Sequence, residues 1–155
     1  MKEIILAASH WGHLIATVVW IGGITFMLFI ARTSAKQVLG TDAGKLMGEI
    51  SKRFTPIANY SIIFLLVTGI ILTVLNKQLS EIESVRNNWT LFLIVKHVLV
   101  LGMVVVHFYR GMVLAPKIAE TEPSEQKASL QRLSLNLVKL NLCLGLLVLF
   151  FSGIL

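Results

Sequence analysis

Four histidines and two cations occupy stretches of the sequence that are otherwise apolar, and chemistry can be built on them. They are His10, His13, Lys96, His97, His107 and Arg110. A charged or titratable group at membrane depth is costly, by roughly 2.5–3.5 kcal/mol for Lys on insertion scales, so it needs a partner or a function. No histidine falls in a polar connecting segment. We therefore predict that these side chains form the functional site.

Imidazoles on neighbouring helices are typical ligands of haem iron. The core of a helix bundle is where facing helices build such cofactor sites. Haem b suits two imidazoles, with Lys96 or Arg110 available for the propionates and with glycines leaving room for the flat macrocycle. The glycines are Gly22, Gly23 and Gly102. We predict one or two haem b groups per chain.

Copper is the alternative to haem. It binds imidazole and thioether groups, and His10 and His13 stand near the start of the chain while most methionines lie elsewhere. The methionines form no regular ladder, and simple packing explains them better. We therefore rank copper below haem.

Helical periodicity and rise indicate which histidines share a site. One face of the first predicted helix carries His13, Thr17, Trp20, Ile24 and Met27. His10 lies about 60° to one side, so both imidazoles are predicted to face the bundle core. At 1.5 Å per residue, His13 and His97 reach a similar depth in the outer half if the third helix ends near Ala115, but differ in depth by roughly 9 Å if it ends at Arg110. His107 lies about 15 Å deeper than His97. We predict an outer pair, His13 and His97, and a separate inner site at His107.

Composition places these residues in a membrane protein. The chain has 155 residues, 55% hydrophobic and 14% charged, and its mean hydropathy is +0.80, which excludes an ordinary soluble domain and a disordered chain. The net charge of +6 does not indicate nucleic-acid binding, because the basic residues lie mainly between apolar stretches and without interleaved aromatics. The single cysteine, Cys143, allows no CxxCH motif, so any haem is non-covalent.

Four apolar stretches are each long enough for the roughly 20 residues of a spanning helix. They cover residues 4–31, 56–76, 89–115 and 134–155, approximately. The sequence thus predicts an all-α fold, an integral-membrane four-helix bundle that forms a single transmembrane domain over residues 1–155. Pro56 fits the first turn of the second helix, and Ser124 suits a cap for an amphipathic extension of the fourth.

Lysines and arginines in the connections predict the orientation. Five stand between the first and second helices and three between the third and fourth, against Lys2, Lys77 and Arg86 on the other side. By the positive-inside rule both termini face the outer side. This pattern suits a multipass protein of the cytoplasmic (inner) membrane of a prokaryote.

Two motifs resemble known membrane families. The run from His13 through Trp20 to Gly22 and Gly23 is similar to the first-helix motif of the copper-resistance D (CopD-like) membrane proteins and of the HemJ group. A second motif resembles the third helix of the HemJ group, the haem-containing protoporphyrinogen oxidases. It comprises Trp89, the run Lys96-His97-Val98-Leu99-Val100 and His107.

The resemblance implies a four-helix membrane protein with haem b, in which His13 and His107 match the family's histidines and Lys96 its lysine. His97 lies outside the matched histidines. The HemJ group has a Pro-Arg pair shortly after the glycines, where this chain has Leu28 and Phe29.

From these residues we predict a small membrane b-type cytochrome, an electron carrier between a membrane or periplasmic donor and an acceptor. The first alternative is a HemJ-like protoporphyrinogen IX oxidase, a haem-dependent oxidoreductase acting on a porphyrinogen. The second is a CopD-like copper transport or tolerance protein. In each case the expected partner is the lipid bilayer and not nucleic acid, and formation of a homo-oligomer stays open.

Overall fold

The computed structural model describes residues 1–75 and 88–154. The predicted connection of residues 76–88 falls almost wholly outside them, and so do Lys77 and Arg86, which counted toward the predicted orientation. The side chain of Trp89 is also outside what is described. Within the described residues the chain is helical and contains no β-strand.

Long apolar runs form helices here because a helix satisfies its backbone hydrogen bonds internally. Helical structure of α type occurs in seven described segments: α1 Lys2–Thr17, α2 Gly23–Thr25, α3 Arg32–Leu39, α4 Ala43–Leu75, α5 Asn88–Phe108, α6 Ala115–Glu120 and α7 Glu125–Ile154. Turns of π-helix join several of them without a break, at Val18–Gly22, Phe26–Ala31 and Tyr109–Leu114. A 3₁₀ turn, Gly40–Asp42, joins α3 to α4.

The helices extend beyond the apolar stretches from which they were predicted. The first helical run continues through α3 to Leu39, and α4 begins at Ala43, so Pro56 lies within a helix and not in its first turn. Just before the proline, the Thr55 hydroxyl donates to the Ser51 carbonyl at 2.8 Å. Hydropathy reports where a helix is apolar, whereas helical hydrogen bonding continues through polar sequence until a residue ends it. At the end of α3 that residue is Gly40. Its φ of 52° is a backbone conformation that glycine adopts more easily than other residues.

The helix of the fourth apolar stretch also begins before its apolar residues, and the predicted cap at Ser124 is confirmed. Ser124 precedes α7, and the backbone N–H of Lys127 donates to its hydroxyl at 3.4 Å. The hydrogen bond satisfies one of the amide groups left open at a helix start. The helix therefore begins at Glu125, before the apolar residues.

The chain divides into two compact units, Met1–Val85 and Arg86–Leu155. In the first, α1 packs against α4, and two glycines of the first helical run meet rings of α4. The ring of Phe64 packs against Gly12, and the ring of Phe54 packs against Gly23. Because the later glycine meets the earlier phenylalanine, the two helices run antiparallel. In the second unit α5 packs against α7, and the rings of Phe92 and Phe151 lie 5.8 Å apart.

Three continuous helical stretches of the described chain are long and apolar enough to cross a membrane. They are Lys2–Leu75, Ile94–Glu120 and Glu125–Gly153, and each contains an 18-residue segment whose mean hydropathy is 2.3, 2.0 and 2.0, respectively. The first contains α1 and α4. Large apolar and aromatic side chains lie exposed on these stretches, among them Trp11 at 70% and Tyr60 at 75%. Such surfaces suit contact with lipid and not with water.

Candidate metal-binding residues in the two units

His13 is held by a hydrogen bond between the two packed helices of the first unit. Its Nδ1 lies 2.8 Å from Oγ1 of Thr68, a side chain only 3% exposed. The Thr68 hydroxyl donates its single proton to the Phe64 carbonyl at 2.7 Å, so its oxygen accepts from the Nδ1–H of His13. In this network the ring proton of His13 lies on Nδ1. Metal-binding histidines characteristically donate their other ring N–H in this way.

Gly12, which has no side chain, lets α1 pack closely enough on α4 for His13 to lie opposite Thr68. A Cβ atom at Gly12 would lie 2.6 Å from Cε1 of Phe64, so a larger residue at this position would displace the ring that packs between α1 and α4. Gly69, next to Thr68, would place a Cβ atom 3.9 Å from Cε1 of His13, an ordinary contact. The position of the imidazole thus depends on close packing of the two helices.

The predicted inward face of the first helical run is confirmed at its larger residues. Trp20, Ile24 and Met27 are buried, and His13 is partly buried. His10 is exposed, so it does not share that face. Gly23 was predicted to leave room for a macrocycle, but the ring of Phe54 occupies that space.

In the second unit, the buried histidine is His107, which is 5% exposed. One helical turn before it lies Met103, 1% exposed. Residues four apart on a helix are neighbours on one face, so a buried thioether and a buried imidazole share one face of α5. The sequence prediction treated Met103 as packing, although its spacing from His107 was a usable signal.

The other predicted residues of this unit are more accessible. Lys96 and Arg110 are partly buried, and His97 is exposed. His97 lies on an exposed apolar face of α5, together with Ile94, Val98 and Leu101.

Asn141 of α7 is a buried polar residue. It is 4% exposed, and within the described part of the chain its Oδ1 has no hydrogen-bond partner. A buried acceptor without a partner is uncommon and calls for an explanation, such as a water or an ion. Gly145, one turn further, is also buried, whereas Ser152 near the end of the helix is exposed.

The described side chains do not gather into a metal cluster of the usual kind. Over residues 1–75 and 88–154, no three His, Cys, Asp or Glu side chains come close enough to hold one ion. Cys143 is exposed. His13 belongs to the first unit, and His97 and His107 belong to the second. The predicted pairings of His13 with His97 or His107 therefore stay predictions.

Comparison with known proteins gives one match. No curated protein and no solved structure matches the chain. Residues 48–155 match the sequence model of the family described as copper resistance protein D. The matched part contains Met103, His107 and Asn141, whereas the motif from His13 to Gly23 precedes it. The CopD-like part of the resemblance is confirmed, and because the match covers more than half of the sequence, this chain belongs to the copper resistance protein D family.

Proposed function

We propose that this chain is a multipass membrane protein that carries copper through the bilayer as part of copper tolerance. The observation that carries the proposal is the family match over residues 48–155. It is supported by helices long and apolar enough to span a membrane. Copper is the substrate, and no chemical change of the ion is required.

The donor atoms available in the two units suit copper. Imidazole nitrogen binds several transition metals, whereas thioether sulfur selects copper in its reduced form. His13 supplies an imidazole, and Met103 and His107 place both donor types one turn apart on α5.

The proposed topology is the predicted one: four spanning helices in a prokaryotic cytoplasmic membrane, with both termini outside. The asymmetry of Lys and Arg between the connections supports it. Fusions of a reporter that is active only in the cytoplasm are expected to work after Lys45 and after Lys127. Activity of a fusion at Leu155 would contradict the orientation.

Copper handling is tested in cells by producing the chain in a copper-sensitive strain and measuring cell-associated copper and growth at graded copper concentrations. We expect the wild-type chain to change both relative to an empty vector. The variant His107→Leu should return both to the vector level, with membrane abundance verified by immunoblot. Identical copper content with and without the chain would overturn the proposal.

A second candidate function, the b-type cytochrome, is favoured by the hydrogen bond from His13 to Thr68, since axial histidines are oriented in this way. His13 with His97 or His107 would bind the iron, and the cations Lys96 and Arg110 would face the propionates. Bound haem would supply one-electron transfer. The space at Gly23 is not open to the haem macrocycle, because the ring of Phe54 fills it.

Absorption of the purified protein separates the two functions. Haem gives a Soret band and a reduced α-band, and a colourless protein from haem-sufficient cells would overturn the cytochrome. The copper-resistance match gives no support to the cytochrome or to the HemJ-like porphyrinogen oxidase. Both stay predictions, as do their redox partners.

A further inference from the structure

We infer that Met103 and His107 of α5, together with Asn141 of α7, form a binding site for monovalent copper within the second unit. The inference rests on the proposed function and deepens it, because it names the oxidation state and the ligands. Met103 Sδ and an imidazole nitrogen of His107 bind the ion, and the Asn141 Oδ1 faces it.

The face of α5 that carries Met103 is turned toward α7. The ring of Phe92 contacts that of Phe151, and Met103, eleven residues along α5, lies only about 20° around the helix from Phe92. His107 lies about 40° further round in the same direction. Both side chains are at least nine-tenths buried.

Asn141 lies at the level of this pair. From the contact of the two rings, Met103 is about 16 Å along α5, and Asn141 is about 15 Å along the antiparallel α7 in the same direction. His107 is about one turn beyond. The unpartnered and buried Oδ1 of Asn141 therefore stands at the depth of the Met103 thioether, about one turn from the level of the His107 backbone.

The chemistry of the three groups selects the ion. A thioether is a soft ligand that favours Cu(I) over Zn²⁺ and Mg²⁺. All three groups are neutral when the imidazole is unprotonated, and the partly buried guanidinium of Arg110 lies one turn past His107. A nearby positive charge and the lack of a carboxylate ligand disfavour a divalent ion. The Asn141 oxygen would partly offset the single positive charge of the bound ion.

Cu(I) competition tests the site. The full-length protein, purified in detergent under reducing conditions, is titrated with Cu(I) against a coloured Cu(I) chelator. Met103→Leu, which keeps the volume of the side chain, should weaken the affinity at least tenfold. Met112→Leu is the matched control, because Met112 follows on the same helical run but is 73% exposed, and its affinity should equal that of the wild type.

X-ray absorption of the copper-loaded proteins supplies a reading of the ligands themselves. The spectra should show one sulfur atom bound to copper in the wild type and in Met112→Leu. They should show no bound sulfur in Met103→Leu. Persistence of that sulfur in Met103→Leu would overturn the site, and so would zinc binding as tight as Cu(I) binding.

These results are independent of the cellular test. A chain that changes cellular copper while Met103→Leu leaves Cu(I) affinity intact would overturn the site and leave the proposed function standing. A chain with the sulfur signature but no cellular effect would support the site and overturn the function.

Discussion

The least exposed histidines of the two units are held in different ways. In the first unit, His13 donates to Thr68, whose own proton is committed to a helix carbonyl. In the second unit, the buried His107 shares a face of α5 with Met103, and the buried amide oxygen of Asn141 in α7 has no hydrogen-bond partner in the described chain. The first environment orients an imidazole through a completed network. The second retains a polar group that a ligand could satisfy.

The two units also pack differently. Glycines bring α1 onto α4 in the first unit, whereas in the second a contact between aromatic rings lies at one end of the helix pair. Gly102, the glycine of α5 next to Met103, has nothing within 4 Å of the position of an added Cβ.

The largest effect is expected from filling the contact in the first unit. Gly12→Leu forces a side chain into the ring of Phe64, and such overpacking costs about 3 kcal/mol. We expect the free energy of unfolding, measured by SDS titration in mixed micelles, to fall by that amount. Gly48→Leu in α4 is the control, since nothing lies within 4 Å of its Cβ position.

The double variant Gly12→Leu, Phe64→Ala sharpens the interpretation of this loss. It removes the ring that the new side chain strikes, so part of the lost stability should return. If the double variant were no more stable than Gly12→Leu, close approach of the helices at this point would not be the cause.

The next effect comes from the hydrogen bond of His13. Thr68→Val removes the acceptor and leaves the Nδ1–H of His13 without this partner, which should lower the free energy of unfolding by about 1–2 kcal/mol. If His13 binds a metal or haem iron, that affinity should fall by roughly 10–100-fold. Thr68→Ser should retain both properties.

Thr73→Val gives the matched control in the same helix. The Thr73 hydroxyl donates only to the Gly69 carbonyl among the hydrogen bonds observed for it, so its loss should change stability little. An equal loss of stability in Thr68→Val and Thr73→Val would show that the hydrogen bond to His13 adds nothing.

A smaller effect of opposite sign is expected at Asn141. Asn141→Leu removes a buried acceptor that has no partner, so the free energy of unfolding without metal should stay unchanged or rise by up to about 1 kcal/mol. Cu(I) affinity should fall at the same time. A large loss of stability without metal would mean that the side chain has a structural partner, and the contrast with Thr68 would disappear.

The smallest effect is expected at His10. Because His10 is exposed and does not share the buried face of His13, His10→Ala should change stability by less than about 0.5 kcal/mol. Cellular copper should equal that of the wild type, whereas His13→Ala should alter it. Equal loss of copper handling in the two variants would make His10 a ligand after all.

Sequence patterns predicted the class of the protein and part of one site. The buried face of Trp20, Ile24 and Met27 follows from helical periodicity, which survives the π-helical turns. The start of α4 did not follow, because Pro56 is equally compatible with a first turn and with an interior position. The pairing of His97 with His13 rested on a depth estimate, and the structure shows His97 exposed on α5.

The sequence by itself determined that this chain is helical, apolar and suited to a membrane, because hydropathy and helical hydrogen bonding are local properties of consecutive residues. It also determined that Met103 and His107 share a face. Only the tertiary structure decided that His13 meets Thr68 and that Asn141 is buried without a partner for its oxygen in the described chain. Both outcomes involve residues far apart in the chain, and the register of two helices depends on which side chains, such as Phe64 against Gly12, fit between them.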